Sequence, residues 1–275
     1  MEQKSTGVSF GGKLEAVREF GKTIDFGKTA GDYAKHRAGF PDAFFERLVT
    51  MGVARAGMKA LDLGTGTGTV ARGLALRGLE VTGLDKSTML MEQAKNLDAE
   101  AGVAVRYVER SAEETGFPDR SLDLITAGQC WHWFKRDLAA REAQRILKPG
   151  GHVVICHFDW VVLPGNVSDV TETLLRAYNP AWMLGGPWRY YPWIGDLSTA
   201  GFREIESFSF DEETPYSHEA WRGRVRASAA IGASSLSPER IAEFDAELAA
   251  NLAEKFPEPM TVLHRIYAAI GVSPE

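Results

Sequence analysis

Two acids and three glycines are spaced to hold a ligand. Asp62 stands two positions before Gly64 in the run Ala60-Leu61-Asp62-Leu63-Gly64-Thr65-Gly66-Thr67-Gly68-Thr69, and Asp85 closes the next apolar stretch, Leu79-Glu80-Val81-Thr82-Gly83-Leu84-Asp85. Glycines let a backbone approach a ligand closely and take positive φ, and a helix opening behind them presents unpaired N–H groups. The spacing is G-x-G-x-G, unlike the G-x-G-x-x-G of dinucleotide sites, and a carboxylate so near the turn suits a cationic ligand. Asp85 is placed to hold ribose hydroxyls in the same crevice, because ligands of doubly wound sheets bind beyond the carboxyl ends of the strands.

A second group is suited to proton transfer and apolar recognition. Ala127-Gly128-Gln129-Cys130-Trp131-His132-Trp133-Phe134 follows an apolar strand, and His132 within it has two readings: a base for a hydroxyl or carbon acid, or a helix cap between packed tryptophans. His157, ahead of Asp159 and Trp160, is a second candidate base. Trp182, Trp188, Tyr191 and Trp193 crowd a stretch rich in proline and glycine, and with Trp133 and Trp160 they are candidates for the wall of an apolar or aromatic substrate pocket. Neither Cys130 nor Cys156 has the spacing of a metal or disulfide site, and Cys130 follows glutamine where a cytosine ring-carbon enzyme has proline. No metal site is expected.

The elements that must position these residues alternate. Strands are expected near 59–63, 80–84, 103–109, 122–127 and 152–158, with helices near 69–77, 87–99 and 136–147, a pattern that implies a parallel sheet with right-handed crossovers. Lys148-Pro149-Gly150-Gly151 reads as a turn ending the third helix. Residues 202–210 alternate with period two and 261–270 read as a final strand, with helical patterns near 217–231 and 237–254 between them. No long helix is expected in the middle of 164–200. Ser237-Pro238-Glu239 has the residue types of a helix start.

Together these features resemble the class I S-adenosylmethionine-dependent methyltransferases, and the Ala127–Phe134 octet resembles the A-x-H-W-F segment of the small-molecule subgroup that includes trans-aconitate and ubiquinone-pathway enzymes (methyltransferase type 11). Gly31-Asp32-Tyr33-Ala34-Lys35-His36-Arg37-Ala38-Gly39-Phe40-Pro41 is similar to that subgroup's Y-x-x-x-R-P entry segment, with Ala38 in place of proline. The resemblance implies an α/β fold, a Rossmann-like, doubly wound, mostly parallel seven-stranded sheet with an antiparallel last strand and a helical cap insert. It implies cofactor contact by Tyr33, Arg37, Asp62, Gly64, Thr65, Gly66, Gly68, Asp85, Lys86, Ser111, Ala112, Glu113 and Gln129, with S-adenosylmethionine as cofactor and S-adenosylhomocysteine as product. The methyl acceptor would be a small hydrophobic or aromatic metabolite, methylated on oxygen or carbon. The (N/D)-P-P-(Y/F) motif of nucleobase amino methyltransferases is absent. Two other classes stay open, a nicotinamide-dependent oxidoreductase and an S-adenosylmethionine-binding protein without catalysis.

The 275 residues divide into an N-terminal extension, 1–30, serving as lid or oligomer contact, and a methyltransferase domain, 31–275, with cap segments 164–200 and 211–258. A net charge of −6 argues against a broad nucleic-acid footprint, and no stretch approaches a membrane span. A cytoplasmic protein with a small-molecule substrate is expected, forming homo-oligomers if the extension mediates contact.

Overall fold

The computed structural model describes residues 23–29, 31, 35–36, 39–182 and 191–275. Seven strands form one sheet: β1 (Lys59–Leu63), β2 (Glu80–Asp85), β3 (Arg106–Glu109), β4 (Leu122–Gly128), β5 (Leu147–Trp160), β6 (Arg203–Tyr216) and β7 (Met260–Val272). Their order is β3-β2-β1-β4-β5-β7-β6. The first five run parallel, and β7 lies antiparallel between β5 and β6. All five parallel strands therefore present their carboxyl ends at one edge, and the chain reverses its order between β1 and β4, where such sheets open a crevice.

Alternation along the strands fills two layers. Ala60, Leu124, Val154 and Ala268 pack beneath α1 (Asp42–Thr50) and α2 (Thr69–Ala75), while Leu61, Ile125, Val153 and Ala269 face α4 (Arg136–Ile146) and α6 (Tyr191–Thr199). Between α2 and α4, α3 (Thr88–Glu100) links β2 to β3. Asp196 ties α6 to α4 by accepting from the Trp131 indole at 2.9 Å and pairing with Arg136 at 2.7 Å.

A third apolar cluster lies apart from the sheet core. It joins α5 (Val167–Tyr178), α7 (His218–Arg226) and α8 (Pro238–Lys255) around Trp221, Phe244 and Leu248, each fully buried. Ser217 and Ser237 cap α7 and α8, accepting from Ala220 N–H and Arg240 N–H. The pairing of β6 with β7 continues to Tyr216 and Met260, so the two strands project as a long hairpin that carries α7 and α8.

The sequence reading needs two amendments here. α5 and α6, which the reading did not place, occupy the two ends of 164–200, while 183–190 in its middle lie outside the described residues. The Lys148–Gly151 stretch is not a free turn: Gly150 N–H donates to Ser273 O at 2.9 Å and Ser273 N–H to Gly151 O at 2.8 Å, extending β5 back to Leu147. Among the described residues no helix is long and apolar enough to cross a membrane.

Candidate active site

The glycine turn is built on close approach. Gly64, Gly66 and Gly68 have φ of 60°, 56° and 76°. A Cβ on Gly64 would lie 2.9 Å from both Cβ and Sγ of Cys130, and one on Gly68 would lie 2.4 Å from the Tyr107 hydroxyl. Behind the turn, Asp98 accepts from the Tyr107 hydroxyl at 2.7 Å and from Arg72 at 2.8 Å, and Arg72 also donates to Thr67 O at 3.1 Å. This brace holds the opening of α2 from beneath.

The two acids act on different sides of the turn. Asp62 is only 1% exposed and accepts from Thr65 and Thr126 hydroxyls, each at 2.7 Å, so the structure gives it partners under the turn in place of the expected cationic ligand. Burial pushes its carboxyl up to about 6, against the lowering effect of the two threonines. Asp85 is half-buried and reaches across the crevice floor, accepting from Gly66 N–H at 2.8 Å and from Ser87 N–H at 2.9 Å. Each carboxylate oxygen keeps a second lone pair for a ligand hydroxyl.

Beyond β3 an open cleft of about 550 Å³ is lined by Lys86, Ser111 and Glu114 with Glu109, Arg110 and Gly116. Ser111 donates to Glu113, whose other oxygen accepts Lys135 N–H at 2.8 Å, with Lys86 Nζ at 4.0 Å. Burial alone would raise the Glu113 carboxyl, but these donors outweigh it and hold it below the usual carboxylate range. Ala112 is buried beside them.

A second cleft opens past the ends of β4 and β5. Gln129 sits at φ 59°, a conformation uncommon outside glycine, fixed by its N–H to Cys156 O at 2.8 Å and its side-chain amide to Phe158 O. His132 and Trp133 follow in a 3-10 turn, their rings 4.4 Å apart, and Phe26 stands edge-on to Trp133 at 6.1 Å. The rings of His132 and His157 stack at 5.9 Å, and His157 Nδ1 lies 3.5 Å from Asp159. Trp160 and Trp182 both donate their indole N–H to Glu172, at 3.1 and 3.3 Å. Arg224, from α7, lies 5.1 Å over the Trp160 ring. Gln129, both histidines, these tryptophans and acids, Arg224 and Ser228 line one cavity.

The sequence-derived residues thus fall into two groups, one about the glycine turn and Asp85 and one about Gln129 and the histidines, and Cys130 of the second segment packs against Gly64 of the first. Trp193 is corrected from a pocket wall to core: it is fully buried and stacks beneath His157 at 5.9 Å. Tyr33, Arg37 and Trp188 lie outside the described residues, as does the Tyr191 side chain. Glu172, Arg224, Ser228 and the Tyr107–Asp98–Arg72 brace were not singled out; each comes from an element whose spatial place no local pattern signals. Among the described residues no group of three or more His, Cys, Asp or Glu is arranged to hold a metal ion.

Cys130 has a packing role. Its thiol donates to Leu63 O at 3.0 Å beneath Gly64, and it is 8% exposed; Cys156 is fully buried, with its thiol pushed well up by burial. Neither thiol is expected to react with an aromatic disulfide reagent in the native protein, and both should react on unfolding. Rapid native labelling of one equivalent would overturn this assignment of Cys130.

Residues 61–155 match the family described as a methyltransferase domain. The chain is 32% identical over 131 residues to an uncharacterized methyltransferase of Mycobacterium tuberculosis, a match covering 48% of this chain and 51% of that protein. It is 33% identical over 154 residues to demethylmenaquinone methyltransferase of Thermotoga maritima, covering 55% and 60%. The chain thus spans about half to three fifths of these curated relatives. A solved structure from Anaeromyxobacter dehalogenans, described as a type II methyltransferase, superposes with a TM-score of 0.63 at 26% identity, covering 87% of this chain and 99% of that one.

Proposed function

We propose that this protein transfers a methyl group from S-adenosylmethionine to a small aromatic or hydrophobic acceptor, a reading supported by the match of residues 61–155 to the methyltransferase domain family and by the strand order of the sheet. The carrying observation is the contact of Gly64 with Cys130, which sets the glycine turn and its Asp85 partner beside the segment that brings Gln129, His132 and Trp133 to the tryptophan-lined cleft. The positive-φ glycines and the Asp85 carboxylate suit the cofactor: the turn would hold its methionyl part, Asp85 the ribose hydroxyls, and Lys86, Ser111 and Ala112 the adenine. When bound, its sulfonium supplies an already electrophilic methyl group.

The protein's own task is then to hold the acceptor in line and keep water out, which suits the walls formed by Trp133, Trp160 and Trp182. Aromatic faces also favour a nearby positive charge. His132 is the candidate base for an oxygen or carbon acceptor, with His157 behind it. The Thermotoga relative, named for a quinone substrate, supports an acceptor that carries a ring.

The test is transfer of labelled methyl from S-adenosylmethionine into a small-molecule extract of the source cells. Label should enter an extractable product that survives mild base, as an ether or carbon-methyl product does. With that acceptor, His132→Ala should lower turnover about a hundredfold or more and remove the acidic limb of its pH profile. Failure of any product to acquire label, together with failure to bind S-adenosylhomocysteine, would overturn the proposal; label released as methanol would mark a carboxyl ester and remove the need for a base.

A further inference from the structure

Resting on the reading of this cleft as the acceptor site, we infer that the acceptor carries a carboxylate beside its ring, docked by Ser228 and Arg224. The starting observation is the Ser228 hydroxyl. Ser228 is 9% exposed, lines the cleft, and its Oγ has no hydrogen-bond partner among the described residues. A buried hydroxyl left without a partner costs roughly 1–3 kcal/mol, so a group that persists in that state is expected to find its partner in a ligand. Its position is fixed: Ser228 N–H donates to Val225 O at 3.0 Å, and its carbonyl accepts from Ala233 N–H at 3.2 Å.

Arg224 supplies the second half of the dock. It stands four residues earlier, within α7, and lines the same cleft at 8% exposure with its guanidinium over Trp160. A guanidinium has five N–H donors in a planar fork that matches a carboxylate, more than one protein partner satisfies. The acids of the cleft are engaged by the wall itself: both oxygens of Glu172 accept indole N–H groups, with Arg176 at 3.9 Å, and Asp159 lies against His157. A serine O–H and a five-donor arginine fork set side by side at one helix end are donors, and donors select an oxyanion over an ammonium. The tryptophan faces take the ring to which that carboxylate is attached.

The experiment uses three probes of one shape, benzoate, benzamide and benzylamine, titrated by tryptophan fluorescence into the full-length protein, both cofactor-free and saturated with S-adenosylhomocysteine. Benzoate should bind at least about tenfold more tightly than benzylamine. Ser228→Ala should weaken benzoate about fivefold and Arg224→Gln about tenfold or more, each leaving benzamide within about twofold. Arg224→Lys, which keeps the charge and loses the fork, guards against a folding defect and should recover only part of the benzoate affinity. Preference for benzylamine, equal binding or no binding of the three, or a benzoate-to-benzamide ratio unmoved by the variants would overturn the inference. Because the ratio is also read without cofactor, failure to bind S-adenosylhomocysteine would strike the methyl-transfer reading alone, whereas loss of the ratio with that binding intact would strike only the carboxylate dock.

Discussion

Asp85→Ala lowers the affinity for S-adenosylhomocysteine about a hundredfold, while Asp85→Asn lowers it less. The two Asp85 oxygens accept the N–H groups of Gly66 and Ser87, tying the end of β2 to the glycine turn after β1 and to the start of α3. Alanine leaves both N–H groups without that acceptor and removes the charged anchor proposed for ribose hydroxyls. Hydrogen bonds to a charged group contribute roughly 1.5–3 kcal/mol each, so loss of one or two gives an effect of this order. Asparagine keeps one acceptor oxygen and loses the charge. Calorimetric titration of the variants, with thermal midpoints measured alongside, separates a lost ligand contact from a collapsed turn. Unchanged affinity in Asp85→Ala would remove Asp85 from the cofactor site.

His264→Phe changes how stability responds to acid. His264 is 1% exposed, stacked on Phe158 at 4.5 Å, and burial holds its imidazole down at about 4 despite a contact with Val262 O at 3.0 Å. An imidazole titrating near 6.5 when unfolded and near 4 when folded binds more protons in the unfolded state, so stability falls as pH drops from 6.5 toward 4. Asp62 has the opposite sign: with its folded carboxyl near 6 and its unfolded value near 3.8, the native state binds the extra proton, and acidification through that window favours folding. The two oppose each other around pH 5. Removing His264 leaves Asp62 unopposed, and the stability of His264→Phe relative to the wild type should improve by about 2 kcal/mol between pH 7 and pH 5. Urea denaturation at the two pH values measures this, and parallel profiles for the two proteins would refute it.

What was legible in the sequence was what is local. The apolar runs before Gly64 and at 80–84 gave β1 and β2 because fully buried parallel strands read as continuous apolar stretches, and Asp85 was placed by the end of one of them. α5 was missed although its signal was there: Val167, Val170, Leu174, Leu175 and Tyr178 recur at helical spacing behind the Asn166 N-cap, and the buried Thr171 on the same face is satisfied by Val167 O and the Trp221 indole. Trp193 and Trp182 carry the same residue type in the same aromatic-rich stretch, yet one is core and the other wall, a distinction made by distant packing. Arg224 is one of three arginines in α7; Arg222 and Arg226 pair with Asp245, and only the fold turns Arg224 to the cleft.

The β6–β7 hairpin carries a segment that can be altered apart from the half of the sheet that holds the glycine turn. Residues 217–259 leave the sheet at Tyr216 and return at Met260, which are paired directly across the two strands. Segments whose ends meet in this way can be lengthened, shortened or replaced with little disturbance to the flanking backbone. The glycine turn and Asp85 lie on other strands, on the opposite half of the sheet. Exchange of this hairpin cassette would therefore replace the Arg224 and Ser228 wall of the cleft while leaving the glycine turn and Asp85 untouched.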